Sequence, residues 1–132
     1  MCLGGDVYSK KHASFFIANL TNNTVIERNI PVINSLQTST YIDVNRNLFV
    51  ANFSCPEDVG RNEIATPNAF MQNSGPGCGS HFMKFDENLN KIWGTFYPGH
   101  TQLPRINKDR SNNICIWGLN FGYTPGMTTP GT

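Results

Sequence analysis

The sequence predicts an all-β chain that carries one repeat unit twice, and three observations lead there. Small polar turn formers dominate, with 17 Asn, 11 Thr, 8 Ser, 12 Gly and 8 Pro among 132 residues. Asn tolerates left-handed backbone and closes turns with its own side chain, while Thr and the aromatic residues suit a pleated, half-buried surface. No stretch is rich in Ala, Leu, Glu and Lys over a helical length, and the segment around Asn62 to Gln72 that comes nearest is interrupted by Pro67. The second half of the chain follows the first at an offset of about 66 residues.

The repeat places the elements in order. Strands are expected at 13 to 20 and 24 to 30, separated by the polar turn Thr21-Asn22-Asn23. The next pair, 39 to 44 and 47 to 53, flanks Asp43-Val-Asn45-Arg-Asn47. A Pro- and Gly-rich connection follows. Strands 80 to 86 and 90 to 97 then flank Asp86-Glu-Asn88-Leu-Asn90, and strands 103 to 108 and 113 to 120 flank Asp109-Arg-Ser111-Asn-Asn113. Pro104 weakens the first half of its strand.

In register, Tyr41-Ile-Asp43 through Phe53 falls on Asn107-Lys-Asp109 through Leu119, and Phe16 to Pro31 falls on Phe82 to Pro98, with the turn between Phe85 and Ile92 two residues longer than that between Leu20 and Val25. Ile64-Ala-Thr66-Pro67-Asn68 matches Met127-Thr-Thr129-Pro130-Gly131. Each copy thus holds two hairpins and a looser connection, and four short antiparallel strands per ~66 residues is the pattern of a β-propeller blade. The expected division is a second hairpin of one blade over 1–38, a blade over 39–98, and the first hairpin of a closing blade over 99–132. Two blades cannot close a ring, so copies of the chain assemble or further repeats of a longer chain adjoin it.

Gly75-Pro-Gly-Cys-Gly-Ser-His-Phe-Met-Lys84-Phe85-Asp86, the turn to Asn90, and Lys-Ile-Trp93-Gly-Thr95-Phe-Tyr97-Pro-Gly99 resemble the SBBP-type bacterial β-propeller repeat. The stretch with Asp109, Asn113 and Trp117-Gly118 is similar to its other hairpin, and Ile64-Ala-Thr66-Pro67-Asn-Ala69-Phe70 to its linking segment. The resemblance covers most of residues 39 to 132 and is weaker over 1 to 38, where Leu20-Thr21 stands for Phe-Asp and Ile26 for Trp. It implies a building block of secreted or cell-surface bacterial proteins, with an adhesive, binding or scaffolding role.

Composition narrows the function classes. Ten basic against nine acidic residues give no field to attract a polyanion, so nucleic acid is disfavoured. No apolar run reaches the ~20 residues of a membrane-spanning helix. Met1 to Gly5 lacks a basic region followed by an apolar stretch, the signature of a signal peptide. Cys78-x-x-His81 is a lone half-site for zinc, with no C-x-x-C to complete it. Cys55 and Cys78 bracket the Pro- and Gly-rich connection and are candidates for a disulfide in an exported protein, whereas Cys115, within Ile-Cys-Ile-Trp, is expected in the core.

The Asp43, Asp86 and Asp109 motifs space oxygen ligands as a calcium loop begins, but Ser54, Tyr97 and Asn120 stand where the closing carboxylate is needed, so side-chain-closed turns are expected and no cofactor. Trp93, Phe96, Tyr97 and Trp117 are candidates for an aromatic sugar platform in a lectin assembled from two-blade chains; set against that, Trp93 and Trp117 lie in apolar strands and are expected to be core. His12, His81 and His100 are isolated, and no nucleophile elbow, paired carboxylates or phosphate loop occurs, so no enzyme is expected.

Overall fold

Backbone groups must pair, and period-two segments joined by Asn-rich turns pair with their neighbours along the chain. The computed structural model describes residues 13–19, 21–30, 38–58, 60–97 and 101–120. Among them are β1 (Ala13–Asn19), β2 (Thr24–Ile30), β3 (Ser39–Ile42), β4 (Leu48–Ser54), β5 (Gly79–Phe85), β6 (Lys91–Phe96), β7 (Thr101–Lys108) and β8 (Ile114–Asn120). Every boundary lies within two residues of the expected one. A single 3-10 turn, Arg61–Glu63, is the only helical element among the described residues.

All pairs are antiparallel, and each strand pairs with its chain neighbour, but the grouping is two, four and two: β1-β2, β3-β4-β5-β6 and β7-β8 form separate sheets. The all-β class stands. The Met127 to Gly131 part of the repeat lies outside the described residues.

Alternation sorts the central sheet into two apolar faces. Leu48 and Val50 of β4, Met83 and Phe85 of β5 and Phe96 of β6 form one buried cluster with Ile64 and Leu89, and Ile26 of β2 packs against it. Phe49 and Ala51 of β4 and Phe82 of β5 form the second with Ile106 of β7, flanked by Tyr41, Trp93, Tyr97 and Ile114. The β7–β8 hairpin lies on the second face, and Ile64, Leu89 and Met71 together with Ile26 lie on the first, which explains why β4 is buried along its whole length. The backbone N–H of Ile106 donates to Ser39 Oγ at 3.2 Å and ties β7 to the start of β3.

The connection between β4 and β5 closes the sheet's free edge. Thr66 N–H donates to the Gly94 carbonyl at 2.9 Å, and Phe96 N–H donates to the Met71 carbonyl at 3.0 Å, so this segment occupies the outer side of β6. Covering an edge in this way prevents pairing with another chain. Glycine is required at position 94, because a Cβ there would collide with the Ile64 carbonyl oxygen.

Two core expectations fail at β8. Ile114 faces the central sheet, so the alternation turns Cys115, Trp117 and Leu119 the other way. Trp117 is 64% and Leu119 55% exposed, and Cys115 is an exposed free thiol. Residue type alone suggested burial; burial also needs a covering layer, and none lies over this face among the described residues. Trp93 is half-buried against the cluster of Phe49, Ala51, Phe82 and Ile106. Trp93→Ala is accordingly expected to cost about 2 kcal/mol, and Trp117→Ala to leave the melt of the dilute monomer within about 0.5 kcal/mol, read by thermal melting at submicromolar concentration.

Candidate functional site

Three turns share one design. In the β3–β4 turn, Asp43 Oδ1 accepts the backbone N–H of Asn45 at 2.9 Å and of Asn47 at 2.8 Å, while Oδ2 accepts Asn47 Nδ2 at 2.7 Å. Asp86 does the same with Asn88 and Asn90, and Asp109 with Ser111 and Asn113. The fourth residue of each turn is left-handed: Arg46, Leu89 and Asn112 have φ of 63°, 61° and 64°. Only Asn112 is of a type that favours that region; the side-chain bonds of the Asp hold the other two there.

Burial pulls the Asp43 carboxyl up, but hydrogen bonds from Asn47 and Asn45 and the nearby Lys84 charge outweigh it and hold it below its ordinary value. At Asp109 the side-chain and backbone bonds from Asn113 lower the carboxyl likewise. The Asp oxygens are thus engaged by N–H donors, and the Asn side chains present amide nitrogen, a poor offering to a hard cation. Asp43→Ala is expected to cost about 1–2 kcal/mol by stranding three donors, measured by urea denaturation.

The aromatic residues do not converge. Phe96 is 2% exposed and belongs to the core, which removes it from any sugar platform. Tyr97 is half-buried, edge-on to Phe82 at 5.7 Å between centroids. Trp93 shares that face of β6, whereas Trp117 points away from it on the far side of the terminal hairpin.

A buried polar group lies at the opposite end of the sheet from the β3–β4 and β5–β6 turns. Asn52 pairs with His81 and Ser54 with Gly79 across β4 and β5, on the Leu48–Met83 face. Asn52, Ser54 and His81 have no solvent exposure. Asn52 Nδ2 donates to Thr38 Oγ1 at 2.7 Å, and its Oδ1 accepts Phe53 N–H at 2.6 Å. Ser54 Oγ and both ring nitrogens of His81 have no hydrogen-bond partner. His81 stands edge-on to Phe96 at 6.0 Å, and Arg61 covers the same phenyl ring at 5.6 Å.

The roof of this group is covalently closed. Cys55, directly after β4, is disulfide-bonded to Cys78, directly before β5. Arg61 donates to Ser74 Oγ, to the Gly77 carbonyl at 2.7 Å and to the Gly75 carbonyl at 3.3 Å. Cys55 N–H donates to Asp58 Oδ2 at 2.7 Å. The disulfide also disposes of the zinc half-site, since Cys78 has no thiolate to offer beside His81. Burial, reinforced by the Arg61 charge and opposed by Asp58, pushes the His81 imidazole down to about 3, so it is neutral at physiological pH. Ser54 and His81 are not hydrogen-bonded to each other, and no nucleophile is activated there. His12 and His100 lie outside the described residues. His81 stands isolated in the sequence, and its parity with Met83 and Phe85 within the expected strand 80 to 86 is the sign that it faces the core.

The chain matches no protein-family model, no curated protein and no solved structure. The functional reading therefore rests on the geometry and on the residues themselves.

Proposed function

We propose that the chain is a non-catalytic β-propeller repeat module of a secreted or cell-surface bacterial protein, serving a structural or binding role by stacking with like units. One observation carries the reading: a four-stranded meander has the β7–β8 hairpin packed on one face and Ile26 of the β1–β2 hairpin on the other, and the β7–β8 hairpin repeats the Asp turn of the meander itself. Face-to-face stacking of such sheets is how propeller blades bury their apolar surfaces. The Cys55–Cys78 disulfide supports an oxidising compartment. Among the described residues no three His, Cys, Asp or Glu side chains gather into a metal-binding group, and the buried imidazole has neither an activated partner nor access to solvent.

Joining three copies head to tail in one polypeptide tests the architecture. Electron microscopy is expected to show a closed six-bladed ring with a central channel; an extended or collapsed particle sinks the propeller reading.

The exposed indole of Trp117 favours a second use of the same scaffold, glycan binding. A glycan array on the single chain at submicromolar concentration, where Trp117 is exposed, compared with its Trp117→Ala counterpart, is expected to show Trp117-dependent binding if the module is a lectin and none if the stack alone is its role.

A further inference from the structure

Cys115, Trp117 and Leu119 form an exposed apolar row on the outer face of β8. Internal repetition says what covers such a row. By the Asp43/Asp109 match these residues occupy the places of Phe49, Ala51 and Phe53 in β4. Those three are buried, β4 is paired along its second edge by β5, and Phe49 and Ala51 pack against the next hairpin. Among the described residues β8 pairs with β7 alone, so its second edge carries a row of backbone groups without strand partners.

The β1–β2 hairpin has the complementary deficit. In the match that sets Leu20-Thr21 on Phe85-Asp86, one residue off the match of Phe16 with Phe82, Ile17 takes the place of Phe82 and Asn19 that of Lys84, yet β1 pairs with β2 alone among the described residues. Its stacking direction agrees: Ile26, the register partner of Ile17, packs on the Leu48–Met83 face of the central sheet, as the Phe82 face of that sheet packs on β7–β8. The three units are therefore stacked in one sense, each presenting to its successor the face that β8 leaves bare.

We infer that β8 is a docking edge for β1 of a second copy of this chain. The pairing is antiparallel and in the β4–β5 register, with Cys115 opposite Asn19 and Trp117 opposite Ile17 of the second copy. The inference rests on the stacked-repeat reading above and adds the partner, the edge and the register. Docking makes a four-stranded sheet, β7-β8-β1-β2, from two chains. Because Ile26 of the second copy already lies against that copy's central sheet, the same sheet comes to cover Trp117. The contact is heterologous, so successive copies close a ring or extend as a fibre.

Cys115 supplies the probe. In the Asn19→Cys variant, mild oxidation with the Cys55–Cys78 bond intact is expected to give covalent multiples of the 14.7 kDa chain. Mass spectrometry is expected to find Cys115 linked to the thiol introduced at position 19, and the link to vanish when Cys115→Ser is added. Ala18→Cys, whose thiol falls on the other face, is expected not to link. Absence of the position-19 link, or equal linkage from position 18, overturns the inferred register. The unmodified chain gives a second readout: Trp117 emission, obtained by difference from Trp117→Phe, is expected to shift to the blue as concentration and light-scattering mass rise together. Growth in mass without that shift overturns the proposal. Should the concatenated protein form its ring while the link fails, this edge is wrong and the stacked-repeat reading stands; should both fail, that reading falls as well.

Discussion

Replacing His81 with leucine is expected to remove most of the acid lability of the fold between pH 6.5 and 4. The imidazole titrates near its ordinary 6.5 in the unfolded chain and is pushed down to about 3 in the folded one, first by burial and then by the Arg61 charge. Below pH 6.5 the unfolded state binds the extra proton, so stability falls as pH falls and continues to fall until the folded-state value is reached. Over the range to pH 4 this amounts to on the order of 3 kcal/mol, a large share of the roughly 5–15 kcal/mol that holds a domain together. Both ring nitrogens lack partners, so His81→Leu also relieves desolvated polar atoms and is expected to leave stability at pH 7 equal or higher. Urea denaturation at pH 7 and pH 4.5 decides the matter. An unchanged difference between the two pH values in the variant would show that His81 is hydrated or paired in solution.

The strands were legible because local signals agree: each Asp-x-Asn/Ser-x-Asn turn sits between apolar runs, and the side-chain bonds of Asp43, Asp86 and Asp109 fix loop length and register before any tertiary contact forms. The disulfide was legible only as a candidate, since its geometry depends on β4 and β5 being neighbours, which pairing across a long connection alone establishes. Burial was the least legible property. Trp93 and Trp117 occupy similar apolar strands, yet one packs on the cluster of Phe49, Phe82 and Ile106 and the other meets solvent, a difference set by which sheet lies opposite. His81 went the other way: a titratable residue in a Gly-rich neighbourhood turns out fully buried because strand parity aligns it with Met83 and Phe85. The need for glycine at 94 was illegible, for it arises from the Ile64 carbonyl of a distant segment.

Removing the Cys55–Cys78 bond is expected to cost about 3 kcal/mol and to lower the melting temperature by roughly 10 °C, whether by reduction or by the paired Cys55→Ser and Cys78→Ser substitutions. The half-cystines are 23 residues apart in sequence, and most of the cost is the freedom the unfolded chain regains when that loop opens. The folded connection has other anchors. Ile64 is fully buried, the Gly94 and Met71 carbonyls bond Thr66 and Phe96 across β6, and Arg61 bridges Ser74 and Gly77. The reduced protein is therefore expected to keep its strand content while melting earlier, with amide protection at Thr66 and Phe96 largely retained at low temperature. Circular dichroism melts with and without reductant, paired with hydrogen exchange at those two amides, separate the alternatives. Loss of that protection at temperatures where the sheet is intact would mean that the disulfide, and not the packing of Ile64, holds the connection over His81. An unchanged melt would mean that the closed loop contributes nothing to the stability of the chain.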